Sequence, residues 1–261
     1  MSTVSSLVAS PPVDLRSDRG TMLVERALGR VEAALQVRLD RGSAVRKRRS
    51  VGTVTERDTW VRVEARPVAK LFGQGNGVEA AAALEGIAKP VWHASLTWDD
   101  TELGVQWRAD ETSLVPDAPI KPGGTLTVDP MLDDRWWERL NASLDALTAT
   151  STTRVSTVHT ELMTQDRLTA AIAGAFGQRV DTTVEHWVPA HGDLNWANLT
   201  APVCWVLDWE DWGRAPRGLD AATLWRASLA MPALAERVRS RAAVAAGADR
   251  AAPDRGPPGR C

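Results

Sequence analysis

Apolar positions recur along this chain with two different periods. Val24, Leu28, Val31 and Leu35 fall at steps of four, three and four, which predicts an amphipathic helix over 21–39 stopping near Gly42. Val51, Thr53 and Val54, then Trp60, Val61 and Val63, predict two strands joined by a turn at 56–58. The stretch 78–88, VEAAAALEGIA, predicts a helix carrying Val78, Ala82 and Leu84, closed by Lys89-Pro90. Partial alternation over 91–98 predicts a strand, 99–104 a turn and Val105 to Arg108 the start of a further strand, with loop-like chain to 124. Leu132, Trp136, Leu140, Leu144 and Leu147 then stripe a second long helix over 131–148. A third helix is predicted over 161–176, with Leu162, Leu168, Ile172 and Phe176 inward and Gly177 as its stop. The polar run STTRVST at 151–157 separates the two. Beyond them, 203–207 is a continuous apolar run that predicts a buried strand, and helices open near Asp220 and at Pro232.

Composition narrows the class. A length of 261 residues suits one large domain or two small ones, and 44% hydrophobic content allows a sizeable core. A net charge of −2 gives no case for a nucleic-acid partner. Two cysteines, Cys204 and Cys261, are too few for a disulfide framework and fit a reduced, cytoplasmic setting. No apolar run approaches membrane-spanning length, so no membrane partner is expected. Residues 1–20 have neither a basic start nor an apolar core and predict a flexible leader; the Ala-, Arg-, Gly- and Pro-rich 247–261 predicts a disordered tail. Of the 14 aromatics 12 are Trp, which fits core and pocket lining alike.

The chemistry concentrates in HGDLNWANLTAPVCWVLDWEDWGRAPRGLD, residues 191–220. Asp193 and Asn198 lie five residues apart, and Asp208 stands at the end of the apolar run. Phosphoryl transfer to a hydroxyl needs a carboxylate to orient the attacking group and hard oxygen ligands to hold Mg²⁺ on the phosphates. Asp193 suits the first role, Asn198 and Asp208 the second. Read blandly, Asp193 caps a turn and Asp208 is a strand exit.

HGDLNWAN followed by VLDWE resembles the catalytic loop and metal strand of the aminoglycoside phosphotransferase family, a small-molecule branch of the protein-kinase-like fold. GRAPRGLDAATLW resembles the helix start that follows in that family. The resemblance implies an α+β, two-lobed fold: a small N-lobe with an antiparallel sheet and a mostly helical C-lobe. It implies transfer of the γ-phosphoryl of ATP or GTP to a small-molecule hydroxyl, with Mg²⁺ as cofactor and ATP as co-substrate. Asp193 would be the catalytic base, Asn198 and Asp208 the metal ligands, and Asp220 the anchor of the loop. His191 braces the loop beside the base. Glu210 and Asp211 would meet a cationic acceptor such as an aminoglycoside or another amino alcohol, or a second metal; alternatively they are solvated loop acids.

On this reading residues 21–112 form the nucleotide-covering N-lobe and 113–246 the C-lobe. The nucleotide-binding candidates are Gly52, all that remains of a glycine-rich loop, with Arg62 or Lys70 in place of the strand lysine and Glu79 or Glu85 as helix partner of that cation. GQGNG at 73–77 predicts a flexible loop or an anion site, and the basic run at 46–49 a solvated turn. His93 is expected on a strand surface. The thinned glycine loop and missing lysine motivate a rival, a catalytically impaired nucleotide-binding relative. A metal-dependent hydrolase is the second rival, without a histidine cluster to support it. The oligomeric state is open.

Overall fold

The computed structural model describes residues 14–68, 74, 76–123, 125–158, 161–177 and 180–248. Lys70, the outer part of the predicted leader (1–13) and most of the predicted tail (249–261) lie outside the described residues, as do Gly73 and Gly75. The chain divides into two compact units, Met1–Leu84 with Lys89–Pro116, and Glu85–Ala88 with Asp117–Cys261. The first is built on an antiparallel sheet and the second is mostly helical, so the architecture is α+β. No described helix is long and apolar enough to cross a membrane.

In the first unit, helix α1 (Asp18–Leu35) starts where the Ser17 hydroxyl accepts from Gly20 N at 3.0 Å. Leu23, Val24, Ala27, Leu28 and Val31 form its buried stripe. It ends four residues before the predicted 39 because Gln36 turns left-handed (φ 55°) and the chain becomes extended, burying Val37 and Leu39. Strands β1 (Val45–Arg46), β2 (Ser50–Val54) and β3 (Thr59–Pro67) follow. Next comes a single helical turn, α2 (Gly77–Ala80). Then β4 (Trp92–Asp100) and β5 (Val105–Ser113) complete an antiparallel sheet ordered β1-β2-β3-β5-β4.

The alternation of β3 and β5 decides what each sheet face does. Val61, Val63, Ala65, Val105, Trp107 and Ala109 pack with α1 in one core, each large side chain contributing about 1.5–3 kcal/mol on burial. The intervening residues make a charged face. There Glu64 pairs with Arg66 at 3.1 Å and with Arg62 at 3.7 Å, and Arg108 pairs with Asp110 at 2.6 Å.

The helix predicted over 78–88 does not form. After α2 the chain makes one 3-10 turn, Ala81–Ala83, and leaves it extended at Leu84. Gly86 takes a positive φ (71°), and Ala88 is drawn into the second unit, donating to Ser143 Oγ at 3.1 Å and accepting from Val206 N at 2.7 Å. Tertiary hydrogen bonds outweigh the alanine-rich propensity.

In the second unit, β6 (Ala118–Pro119) pairs with β10 (Thr200–Ala201). Helix α3 (Asp134–Thr148) is capped by Asp133, which accepts from Trp136 N, and it buries Trp136, Trp137, Leu140 and Leu147 against Trp196. The short hairpin β7 (Thr157–Val158) and β8 (Glu161–Leu162) occupies the first residues of the predicted third helix. Helix α4 (Gln165–Phe176) therefore begins later, at its Thr164 cap. It buries none of its residues: Leu168 packs on Met163, Ala190 and Ala215, and Phe176, expected inward, is 67% exposed. Strand β9 (Trp187–Ala190) pairs with β11 (Gly213–Pro216), and α5 (Leu219–Ser228) and α6 (Pro232–Ala248) close the described chain.

Candidate active site

The β9–β11 ladder delivers His191 directly from Ala190, which pairs with Gly213. Asp220, in the first turn of α5, accepts from His191 N at 2.7 Å and from Gly192 N at 2.9 Å, one donor on each oxygen. Burial pushes the Asp220 carboxyl above the usual carboxylate range, against the opposing pull of His191 and of these two donors. Gly192 sits at φ 88°, and a Cβ there would stand 2.5 Å from Ser156 Oγ and 2.7 Å from Asp211 O. Both the backbone sign and the space require glycine.

His191 is fully buried, and its ring is spent on the backbone. Nε2 meets Leu207 O at 2.8 Å, and Nδ1 lies 3.4 Å from Asp193 N, a pattern that puts the ring proton on Nε2. The Trp209 ring meets it edge-on at 4.9 Å. Asp193 itself is exposed. Asn198 Nδ2 donates to Asp193 O at 2.8 Å and to Oδ2 at 3.1 Å.

Asn198 opens a tight hairpin. Leu207 N donates to Asn198 O at 2.8 Å, Leu199 bridges Val206, and Thr200 N donates to Trp205 O at 3.2 Å. The predicted strand 203–207 is the return arm of this hairpin: Cys204 and Val206 are buried, while Val203 is 42% exposed. Pairing with 198–200, together with Val206 N to Ala88 O and Arg139 to Cys204 O, and not a central sheet, satisfies its backbone. Leu207 is thus gripped by Asn198 on its N–H and by His191 on its carbonyl. That sets Asp208 beside the loop in a left-handed conformation (φ 64°) which few residues other than Gly, Asn and Asp adopt. Burial also pushes the Cys204 thiol up to about 12.

The polar run 151–157 is no spacer. Arg154, Ser156 and Thr157 are buried and strap down the loop after Asp208. Arg154 donates to Trp212 O at 2.8 Å and Glu210 O at 3.1 Å. Ser156 Oγ donates to Asp211 O at 2.8 Å, and the Thr157 hydroxyl donates to the Asp211 carboxylate. Asp211 is engaged in fastening this loop; Glu210 beside it is half-buried.

Asn198 and Asp208 together offer one amide and one carboxylate oxygen, a donor set that fits Mg²⁺ completed by water and phosphate. With its Nδ2 committed to Asp193, Asn198 has its Oδ1 left as the ligating atom. No cluster of three or more His, Cys, Asp or Glu side chains that could hold a metal exists among the described residues.

Gly52, Arg62 and Glu79 lie on the first unit. Trp60 covers Gly52 so closely that a Cβ would stand 2.1 Å from its ring. Arg62 pairs with Glu64, and Glu79 reaches Arg108 of β5 at 2.9 Å. The helix-to-strand ion pair exists, with its cation on β5 and not at Arg62. Arg108 was legible only as one more charge in a short strand; nothing in its spacing marks it. Asn195 was also missed, although the Asn-x-Ala turn inside HGDLNWAN was a signal for it.

No protein-family model matches the sequence, and no curated protein matches it. Solved structures do resemble the fold. The amicoumacin kinase hAmiN, in complex with AMP-PNP, Ca²⁺ and Ami, superposes with a TM-score of 0.55 at 11% identity, over 88% of this chain and 77% of that one. The aminoglycoside phosphotransferase APH(4)-Ia superposes with a TM-score of 0.54 at 13% identity, over 88% of this chain and 83% of that one. At these identities the likeness is one of fold, and it agrees with the two-lobed α+β, kinase-like architecture expected from the motifs.

Proposed function

We propose, from the premise that the chain carries the fold of these two phosphotransferases, that it transfers the γ-phosphoryl of ATP or GTP to a hydroxyl of a small molecule. The observation that carries this reading is the single hydrogen-bonded chain Asp220–His191–Leu207–Asn198–Asp193, which sets an exposed carboxylate beside a hard-oxygen pair. The Asp193 carboxylate orients the acceptor O–H and takes its proton as the oxygen–phosphorus bond forms. The bond from phosphorus to the β–γ bridging oxygen breaks, and the nucleoside diphosphate leaves with that electron pair. Asn198 Oδ1 and the Asp208 carboxylate would hold Mg²⁺, which when bound neutralises charge on the phosphates. His191 and Asp220 touch no reacting atom and hold the loop. Glu210 favours a cationic acceptor, an aminoglycoside or another amino alcohol; Asp211 serves that field only at long range, given its bond to Thr157.

A thermal-shift titration with Mg²⁺-ATP and Mg²⁺-GTP tests the nucleotide half of this proposal. A ligand that binds only the folded chain raises Tm by mass action. Stabilisation that requires Mg²⁺ and disappears in Asp208→Ala is the expected result. Absence of any shift with either nucleotide would discard it, and binding without turnover would favour the catalytically impaired relative.

A further inference from the structure

We infer that Asn195 is a positioning residue for the Asp193 carboxylate, an inference that rests on the phosphotransfer reading for its consequence but on geometry for its existence. Asn195 Oδ1 accepts from Ala197 N at 2.9 Å. That N–H can be met only by the oxygen of the amide, which fixes its sense and turns Nδ2 toward Asp193. Nδ2 donates to Asp193 Oδ1 at 3.1 Å and to Asp193 O at 3.0 Å. Asn198 makes the matching pair of bonds to Oδ2 and to the same carbonyl. The two amides therefore hold the carboxylate by both oxygens, in one plane and one rotamer.

This matters because Asp193 is exposed and, among the described residues, no ion pair restrains it. An exposed Asp side chain ordinarily samples several rotamers, whereas a proton acceptor works only when an oxygen lies within hydrogen-bond reach of the attacking hydroxyl. The two clamps differ in one respect. Asn198 also offers Oδ1 to the proposed metal, so its hold on the base is tied to metal binding. The Asn195 oxygen is closed on Ala197, so its hold is independent of the metal. Asn195 keeps the base in place before the nucleotide arrives.

The test uses the full chain as Asn195→Asp, which keeps an acceptor for Ala197 N but removes the donor, and as Asn195→Ala, which removes both. Phosphoryl transfer from Mg²⁺-ATP is measured against kanamycin, glucosamine and choline. With the wild type, kcat is expected to fall about 10- to 100-fold in both variants while KM for ATP stays unchanged, as for a base displaced by a fraction of an ångström. In parallel, the χ1 couplings of Asp193 are measured by NMR, which needs no turnover. A single rotamer in the wild type that averages in Asn195→Ala supports the inference; a single rotamer retained in Asn195→Ala, or an unchanged kcat in either variant, overturns it. Should the wild type phosphorylate none of the acceptors while the rotamer result holds, the phosphotransfer reading falls and the clamp stands.

Discussion

The sheet face of the first unit and the 191–220 region of the second handle charge in opposite ways. On the polar face of the first unit's sheet, Arg62, Arg66 and Arg108 each rest on an acid, Glu64 or Asp110, and Arg108 also on Glu79. In the second unit, Asp193 and Asp220 are held by neutral donors: amide side chains for the first, backbone N–H groups for the second. Ion pairing cancels charge and leaves little for a ligand to find. Neutral donors fix a carboxylate in place and leave its charge to act on a proton or a cation. The first arrangement builds a scaffold; the second, on the proposed function, would preserve reactivity.

The largest effect is expected from Asp193→Asn, which keeps shape and removes the charge that the neutral donors leave intact. Turnover should fall about 10²- to 10⁴-fold, with Tm lowered by no more than the loss of one clamp hydrogen bond, because the new amide nitrogen faces one of the two amide donors. Single-turnover kinetics beside a melting curve check both halves. Next is Asp220→Ala. It removes the acceptor of one buried and one part-buried N–H group, at up to about 1–3 kcal/mol each, an amount lessened by the relief of a buried carboxylate. A lower urea midpoint and lost turnover are expected together.

The raised carboxyl of Asp220 also has a sign. A buried acid whose folded value lies above its unfolded one binds its proton more readily in the fold. Its ionisation costs stability above the unfolded value, and acid relieves that cost. Asp220→Asn should therefore flatten the pH dependence of stability on the acid side of neutral, measured as urea midpoints across that range. Gly192→Ala follows: forcing a Cβ against Ser156 and Asp211 at a left-handed φ costs about 1–3 kcal/mol, read by the same midpoint. The smallest effect should be on the first unit. Glu79→Gln breaks an ion pair whose acid is 49% exposed, and a midpoint change within about 0–1 kcal/mol is expected. A large loss there would erase the contrast between the units.

How legible each part was follows from what its residues answer to. β2, β3 and α1 were readable because Val51, Val61, Val63, Leu28 and Val31 face a nearby core, and burial writes itself into the period. The candidate loop 191–198 was legible as one cluster because its groups follow closely in sequence. The helix at 78–88 was misread because Ala88 answers to Val206 and Ser143, far along the chain. The strap 154–157 looked like a spacer because its polar side chains are buried on backbone carbonyls, a partner that composition does not record. The run 203–207 was read as a strand because apolarity cannot tell a sheet from a hairpin arm resting on Asn198. Phe176 was placed inward by period alone, although α4 buries none of its residues.

The most direct test of the central claim is transfer of labelled γ-phosphoryl from ATP and from GTP to amino-alcohol and aminoglycoside acceptors, by wild type and by Asp193→Asn. The account predicts label on an acceptor hydroxyl with the wild type and transfer slower by about 10²- to 10⁴-fold with the variant at equal nucleotide binding. Equal transfer by the two proteins, or label released only as inorganic phosphate, would contradict it.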